Sequence, residues 1–190
     1  MKIDIILAGV GGQGILSIAA VLGAAALHNN LNIKQAETHG MSQRGGAVVS
    51  HLRISDKPIA SDLIPLGGAD LILAVEPMEA LRYLPFLKKD GGVVANSTAF
   101  VNIPNYPEYE TILSEIRKFN NHQIVDADAI AKQAGSAKAS NMVMIGAAAQ
   151  YISMSFDSIE KGIQQIFKNK GEEIITMNMK ALKLGQEMAI

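Results

Sequence analysis

Cysteine is absent from this chain of 190 residues. The chain therefore cannot form a disulfide, provide a thiolate nucleophile or hold a thiolate-ligated iron–sulfur cluster by itself. Its histidines are scattered, with no pair at the i, i+4 spacing of a helical metal site: His28, His39, His51 and His122. We predict that the chain alone binds no metal, and that any electron-transfer centre lies on another chain.

Aromatic rings, excess charge and long apolar runs are also scarce. Tryptophan is absent, aromatic residues make up 5% of the chain, and 17 basic and 18 acidic residues leave a formal net charge of −1. We therefore expect no nucleic-acid partner. The apolar stretch 15–27 is interrupted by Ser17 and Gly23 and is shorter than the roughly 20 residues of a membrane span, and residues 1–4 lack a signal-peptide layout. The expected location is the cytoplasm, without membrane contact.

The residues that are present indicate a packed α/β protein, since 48% are hydrophobic and only 18% are charged. Apolar, β-branched runs predict strands at 3–8, 32–36, 47–54 (half-exposed), 69–75, 93–96 and 122–126. Helical spacing predicts helices at 14–28, 78–87, 110–119, 141–152, 158–168 and 172–187. The pattern predicts one domain over residues 1–190: a doubly wound, mostly parallel sheet with helices on both faces and a helical C-terminal third.

A glycine-rich turn follows the first predicted strand. The run Gly9-Val10-Gly11-Gly12-Gln13-Gly14 has the spacing of the dinucleotide fingerprint, and Glu37 lies where a ribose-binding acid would be sought. Glycines let a backbone approach a phosphate, and amides at a helix start direct partial positive charge towards it. The same glycines could instead only permit a tight turn and close packing of helix on sheet. The Gln13 amide could hydrogen-bond at a buried interface or to an anionic group.

A second segment, residues 37–46, is dense in functional groups and is predicted to be a polar loop between two strands. It consists of Glu37, Thr38, His39, Gly40, Met41, Ser42, Gln43, Arg44, Gly45 and Gly46. A loop at the carboxyl edge of the sheet would lie beside the glycine turn, where doubly wound folds bind ligands. The alternatives are a solvated connection and, for His39, a structural hydrogen bond instead of proton donation or ligand contact.

Together the two motifs resemble the gamma-type domain of pyruvate and other 2-oxoacid:ferredoxin oxidoreductases, and most of all the small subunits of the indolepyruvate-specific kind. The likeness continues through three further groups of residues: Gly67-Gly68-Ala69-Asp70, Glu76-Pro77 and Asn141-Met142-Val143. Two long motifs in the correct order are far more specific than one glycine fingerprint.

The resemblance implies a heteromeric enzyme that oxidatively decarboxylates aryl 2-oxoacids to acyl-coenzyme A and passes electrons to ferredoxin. The large catalytic subunit would carry thiamine diphosphate and iron–sulfur clusters, and this chain alone would bind no cofactor and be inactive. Coenzyme A is the cosubstrate linked to this domain, which implies binding roles for Gly9, Gly11, Gly12, Gln13, Gly14, Thr38, Ser42, Gln43, Arg44, Gly45, Gly46 and Asn141. His39 is the candidate catalytic residue.

Two other functions stay open from the residues themselves: an independent NAD- or FAD-binding dehydrogenase and a nucleotide-binding regulatory protein. The methionine-rich helical segment 176–188 is a further candidate, for docking to a partner, because methionine adapts to varied apolar surfaces. Asn141 has two interpretations, a helix cap or a residue facing the active edge of the domain.

Overall fold

Six strands occur in the part of the chain that the computed structural model describes, which is residues 1–39, 45–101 and 103–188. Their bounds are β1 Lys2–Val10, β2 Asn32–His39, β3 Ala47–Ser55, β4 Ala69–Ala74, β5 Leu87–Asn96 and β6 His122–Val125. They form one sheet in the order β2-β3-β1-β4-β5-β6. β3 runs antiparallel to both its neighbours, and the other neighbouring pairs are parallel. The predicted, mostly parallel sheet is therefore confirmed.

The strand order differs from that of a dinucleotide-binding domain. In such a domain the strand after the first helix lies beside the first strand. Here β2 and β3 form an antiparallel hairpin, and β3 lies between β1 and β2, with Val48 opposite Gly9 and Ser50 opposite Glu37. Glu37 is therefore one strand further from the glycine turn than a ribose-binding acid would be.

Seven α-helices flank the sheet within the described residues: α1 Ile15–His28, α2 Pro77–Arg82, α3 Tyr109–Ile116, α4 Ala127–Ala134, α5 Ser140–Ala148, α6 Phe156–Phe167 and α7 Glu172–Glu187. Successive residues of β1 point to opposite faces, as strand geometry requires. Ile5 and Leu7 pack in one core cluster with α1 and α4 to α7, while Ile6 and Ala8 pack in a second cluster with α2 and α3. The predicted helices on both faces and the helical C-terminal third are confirmed. No helix of the described ranges has both the length and the apolarity to cross a bilayer.

Several local predictions were wrong. The helix predicted at 78–87 ends at Arg82, because Pro85 cannot continue it, and a 3-10 turn at Leu84–Phe86 leads into β5. Gly91 and Gly92 lie inside β5 instead of forming a turn before it. A Cβ at Gly92 would come 2.7 Å from the Tyr151 ring, which explains the glycine there.

The third wrong prediction concerns β3, which is buried and not half-exposed, apart from Ala47 and Arg53. β3 is an inner strand, and α1 covers one of its faces. The other face is closed by the segment before β4, where the Ile64 amide donates a 3.1 Å hydrogen bond to His51 Nδ1. Coverage from both sides could not be read from the alternation of its residues.

The helices α5 and α7 approach each other through glycines. A Cβ on Gly146 would lie 2.0 Å from the Leu182 carbonyl oxygen, and a Cβ on Gly185 would lie 2.1 Å from the Val143 carbonyl oxygen. Leu182 is fully buried in this contact, and Met177 packs against the same core. The chain itself therefore covers Ala181, Leu182 and Gly185 of this segment, while Met188 is 60% exposed, and docking of a partner by segment 176–188 stays a prediction.

Candidate functional site

The glycine turn joins the carboxyl end of β1 to α1. Gly12 and Gly14 have φ values of 102° and 73°, a region that residues with a side chain rarely adopt. A Cβ at Gly9 would come 2.4 Å from Val75 Cγ2, so that glycine permits close packing against β4. α1 begins at this turn without a side-chain cap, and within its first turn the Ser17 amide donates a 2.9 Å hydrogen bond to the Gly14 carbonyl oxygen.

Gln13 stabilises the turn from inside. Its Oε1 accepts a 2.7 Å hydrogen bond from the Val10 amide, and its Nε2 lies 3.5 Å from the Val75 carbonyl oxygen. The side chain therefore links the ends of β1 and β4. Of the two roles that the sequence left open for Gln13, hydrogen bonding inside the fold is observed, and contact with an anionic group stays a prediction because Gln13 also lines the cavity described next.

Asn141 holds the same turn from the C-terminal half of the chain. Its Nδ2 donates to the carbonyl oxygens of Gln13 and Gly14, both at 3.0 Å, and to Ser17 Oγ at 3.1 Å. It lies in the first turn of α5, whose start has no side-chain cap, so the helix-cap interpretation is wrong. Asn141 instead donates hydrogen bonds to carbonyl groups of the turn. That arrangement brings a residue from the distant C-terminal half to the sequence-predicted turn.

A cavity of about 480 Å³ opens beside the turn at the carboxyl edge of the sheet. Besides turn residues and Asn141, its wall includes Asn96 and Asp128 together with Lys138. Lys138 lies exposed on the 3-10 turn Ala137–Ala139, just before α5. Lys138 and the Asp128 carboxylate face the same cavity as Gly12 and Gly14 of the turn, so the site can bind an anionic group beside a hydrogen-bond acceptor.

Asn96 lines this cavity and connects three segments of its wall by hydrogen bonds. The side chain is buried, and its Oδ1 accepts a 3.1 Å hydrogen bond from the Ala127 amide at the start of α4. Its Nδ2 lies 3.4 Å from both the Val75 carbonyl oxygen and Asp128 Oδ2. The ends of β4 and β5 and the start of α4 are thereby tied to one side chain, which sequence reasoning missed because those partners are distant in the chain.

The C-terminal end of segment 37–46, at Gly45 and Gly46, contacts the glycine turn. The Gly11 amide donates a 2.8 Å hydrogen bond to the Gly46 carbonyl oxygen, and the Gly45 amide lies 3.3 Å from the Gly11 carbonyl oxygen. Glu37 and Val48 line a smaller cavity, of about 260 Å³, with turn residues. The expectation that the two motifs lie together is confirmed for Gly45 and Gly46.

The start of that segment belongs to β2 and is not loop, because Glu37 and Thr38 pair with β3. Thr38 is exposed and lines neither of these two cavities, since neighbouring residues of a strand point to opposite faces. His39 ends β2, and its side chain lies outside the described residues. Gly40, Met41, Ser42, Gln43 and Arg44 also lie outside them.

A buried carboxylate was missed by sequence reasoning. Glu76 follows β4 and is fully buried, where its Oε2 accepts a 2.9 Å hydrogen bond from the Glu79 amide and so caps α2. Its Oε1 accepts from the Phe100 amide at 3.2 Å and from the Tyr106 hydroxyl. The sequence signal, Glu before Pro at a helix start, predicts the cap but not the contacts with residues 100 and 106.

The Tyr106 hydroxyl has a consequence at alkaline pH. Burial raises the pKa of Tyr106 in the folded chain, and the hydrogen bond to the Glu76 carboxylate raises it further. In the unfolded chain a tyrosine has its usual pKa of about 10. Above that pH the folded state binds more protons than the unfolded state, so the free energy of unfolding falls as pH rises.

We expect Tyr106→Phe to make this alkaline loss shallower in urea denaturation series between about pH 9 and about pH 11. Tyr109→Phe is the matched control, because the Tyr109 hydroxyl donates to the Ser97 carbonyl instead, at 2.9 Å. Equal slopes for Tyr106→Phe and the unaltered chain would contradict the assignment.

The described residues contain no group of three or more histidine, cysteine, aspartate or glutamate side chains placed to hold a metal ion. The polar residues that line the larger cavity are Gln13, Asn96 and Asn141, two serines, Lys138 and Asp128. Their chemistry is that of a site for an organic anion.

Comparison with known proteins connects this site to a family. The model of the pyruvate ferredoxin/flavodoxin oxidoreductase family matches residues 4–188. An indolepyruvate oxidoreductase subunit IorB from Archaeoglobus fulgidus is 42% identical, over 100% of this chain and 96% of its own. The same subunit from Pyrococcus horikoshii is 35% identical, over 98% and 95%. A 2-oxoglutarate synthase subunit KorC from Methanocaldococcus jannaschii is 30% identical, over 100% and 95%.

Two solved structures share the fold. The gamma subunit of a keto/oxoacid ferredoxin oxidoreductase from Geobacter sulfurreducens matches with a TM-score of 0.72 and 24% identity, over 98% of both chains. A 2-oxoglutarate:ferredoxin oxidoreductase from Magnetococcus marinus matches with a TM-score of 0.76 and 20% identity, over 99% of this chain and 31% of its own. The present chain thus spans about a third of that longer one.

The fold does not support the alternative of an independent dehydrogenase. Its strand order and the position of Glu37 differ from those of a dinucleotide-binding domain. The family match spans nearly the whole chain, and the relatives are named as oxidoreductase subunits. The chain therefore belongs to the pyruvate ferredoxin/flavodoxin oxidoreductase family and is a subunit of an oxidoreductase.

Proposed function

We propose that the chain is the small subunit of a heteromeric enzyme that oxidatively decarboxylates an aryl 2-oxoacid such as indolepyruvate. The product is an acyl-coenzyme A, and ferredoxin accepts the electrons. The relatives named for indolepyruvate are 35–42% identical to this chain, while those named for 2-oxoglutarate are at most 30% identical. That difference supports the aryl substrate. We place the complex in the cytoplasm.

The redox cofactors belong, in this proposal, to a large catalytic subunit. A chain without cysteine has no thiolate to ligate an iron–sulfur cluster. Thiamine diphosphate bound by the large subunit would stabilise the negative charge that decarboxylation leaves on carbon. The small subunit alone would be inactive, and ferredoxin would be reached through the complex.

The role of this chain is to hold coenzyme A at the carboxyl edge. The observation that carries the proposal is the cavity of about 480 Å³ between the uncapped start of α1, Asn141 and Lys138. Its volume is within the usual range of small-molecule sites, about 300–1,000 Å³. Backbone amides and a lysine bind phosphate groups, and the related Magnetococcus marinus structure is described with coenzyme A and succinyl-coenzyme A bound.

Each residue of the site has a separate role in the proposal. Gly12 and Gly14 expose backbone to the phosphates, and Asn141 withdraws the carbonyl groups of Gln13 and Gly14 that would repel them. Ser42, Gln43 and Arg44 stay candidates for coenzyme A binding, with the Arg44 guanidinium contacting a phosphate or a carboxylate of the partner chain. His39 stays the candidate proton donor, and residues 1–190 form the one domain.

The test measures coenzyme A binding by calorimetry and the KM for coenzyme A in the complex reconstituted with the large subunit and indolepyruvate. Lys138→Ala should weaken binding and raise the KM at least fivefold, because a charge-assisted contact with a phosphate contributes about 1–2 kcal/mol. The matched control is Lys132→Ala, an exposed lysine in the last turn of α4 that does not line the cavity. It should leave both values unchanged.

Three outcomes would contradict the proposed function. The first is equal coenzyme A affinity in Lys138→Ala and Lys132→Ala, and the second is no coenzyme A binding to the unaltered chain. The third is full ferredoxin reduction by the large subunit in the absence of this chain. Fivefold effects confined to Lys138→Ala, together with activity only in the reconstituted complex, would support it.

A further inference from the structure

We propose that the loop after β5 is the surface by which this chain docks onto the large catalytic subunit. The docking loop is defined here by Phe100, Val101 and Ile103. Their exposed fractions are 45%, 71% and 37%. Three large apolar side chains close together in sequence and turned to solvent are unusual outside interaction sites.

The docking loop is held in place by hydrogen bonds at its base. The Phe100 amide donates to Glu76 Oε1 at 3.2 Å, and the Tyr106 hydroxyl donates to the same oxygen from the far side of the loop. Glu76 is fully buried, and a buried carboxylate is unfavourable unless its oxygens are hydrogen-bonded. The fold therefore keeps exposed apolar side chains in a defined position, which reduces the entropy that binding would have to overcome.

The docking loop is connected to the wall of the candidate coenzyme A cavity at both of its supports. Phe100 lies four residues after Asn96 in the chain, and the anchor Glu76 directly follows Val75; both Asn96 and Val75 line the cavity. This step depends on the proposed function: a chain that delivers coenzyme A to a reaction centre on another subunit must contact that subunit around the mouth of the cavity. We infer that the docking loop takes part in this contact, because its anchor Glu76 adjoins the cavity-lining Val75.

The occupant we assign is the large subunit and not a second copy of this chain. A stable interface covers about 800 Å² on each partner, and three partly exposed side chains provide well under half of that. A symmetric dimer through the loop alone would be weak, whereas a subunit that also covers the cavity rim would reach this area. In the Magnetococcus marinus enzyme the same fold makes up 31% of a longer chain, so there it is covalently joined to other parts of the enzyme.

The expected partner surface is an apolar depression that receives one aromatic ring and two branched side chains and carries no charge at its base. Aromatic anchors in dry pockets carry most of the binding energy of protein interfaces. An aspartate introduced at Val101 would have to lose its hydration in such a pocket, so that one change should prevent docking.

The experiment compares Val101→Asp with Leu66→Asp in the full chain. Val101 is 71% exposed in the docking loop, and Leu66 is 70% exposed between β3 and β4, at the opposite edge of the sheet. We expect Val101→Asp to weaken binding to the large subunit at least tenfold in interferometry, and Leu66→Asp to change it less than twofold. The melting temperature and the coenzyme A affinity of each isolated chain should be unchanged. Val101→Ser introduces no charge and should weaken binding to the large subunit about threefold. This milder variant tests the same surface if Val101→Asp fails to fold.

Equal binding of Val101→Asp, Val101→Ser and the unaltered chain to the large subunit would overturn the proposal. A second result would also overturn it: sedimentation in which Val101→Asp abolishes self-association of the isolated chain but keeps its binding to the large subunit. The loop would then join two copies of this chain. If the unaltered chain binds no coenzyme A but Val101→Asp still loses the large subunit, the docking surface is supported and the proposed role of the cavity fails.

Discussion

A chain carrying Gly146→Ala is expected to lose about 3 kcal/mol of its free energy of unfolding and to melt about 6–12 °C lower. The new methyl carbon would lie 2.0 Å from the Leu182 carbonyl oxygen and 2.9 Å from the Gln186 amide nitrogen. Both atoms belong to the backbone of α7, so they cannot move without moving the helix. α5 and α7 would have to separate, which would open the core around Leu182.

Gly23→Ala is the matched control for this prediction. Gly23 is also a buried helical glycine, in α1, but a Cβ there would meet only Ile33 Cδ1, at 2.9 Å. The end of a flexible side chain can move aside, and alanine favours a helix over glycine by about 1 kcal/mol. Gly23→Ala should therefore stay within about 1 kcal/mol of the unaltered chain in urea denaturation. Similar stabilities for the two variants would refute the close helix contact.

A second large effect is expected at Glu76. Glu76→Ala would leave three donors without their acceptor: the buried Glu79 amide and, partly buried, the Phe100 amide and the Tyr106 hydroxyl. Each buried donor left unsatisfied is unfavourable by about 1–3 kcal/mol, partly offset because a buried charge is removed. We expect a net loss of about 3 kcal/mol in the free energy of unfolding.

The Glu76 prediction can be separated from general damage to the protein. Glu76→Gln keeps one acceptor oxygen but turns an NH₂ group towards one of the donors, so its stability should lie between those of Glu76→Ala and the unaltered chain. Glu108→Ala removes an exposed glutamate beside the same loop and should change stability by less than about 0.5 kcal/mol. Hydrogen exchange should show lost protection at the Phe100 amide in Glu76→Ala. If that amide stays protected, the carboxylate does not anchor the docking loop.

The two large predictions concern residues that sequence patterns did not single out for these roles. Gly146 looks like an ordinary weak position in a helix, and Glu76 looks only like a helix cap. Their importance comes from backbone atoms of α7 and from donors at positions 100 and 106. Contacts of this kind join residues far apart in the chain, and no local pattern of one sequence records them.

By itself, the sequence determined the fold class and the family. The alternation of buried strands with helices of regular apolar spacing is a local property, and it predicted the mostly parallel sheet with helices on both faces. The glycine turn was also readable locally, because residues at positive φ such as Gly12 and Gly14 are nearly restricted to glycine. The order of the two motifs was enough to indicate the oxidoreductase family.

Only the tertiary structure decided the strand order and the composition of the site. β3 lies between β1 and β2 because the hairpin folds back onto β1, a pairing that depends on long-range hydrogen bonds and not on local propensity. For the same reason Asn141 clamps the turn instead of capping α5, and Gln13 faces inward to Val10 and Val75. A hydrogen bond needs a donor and an acceptor in the same place, and the fold alone determines which distant residues meet.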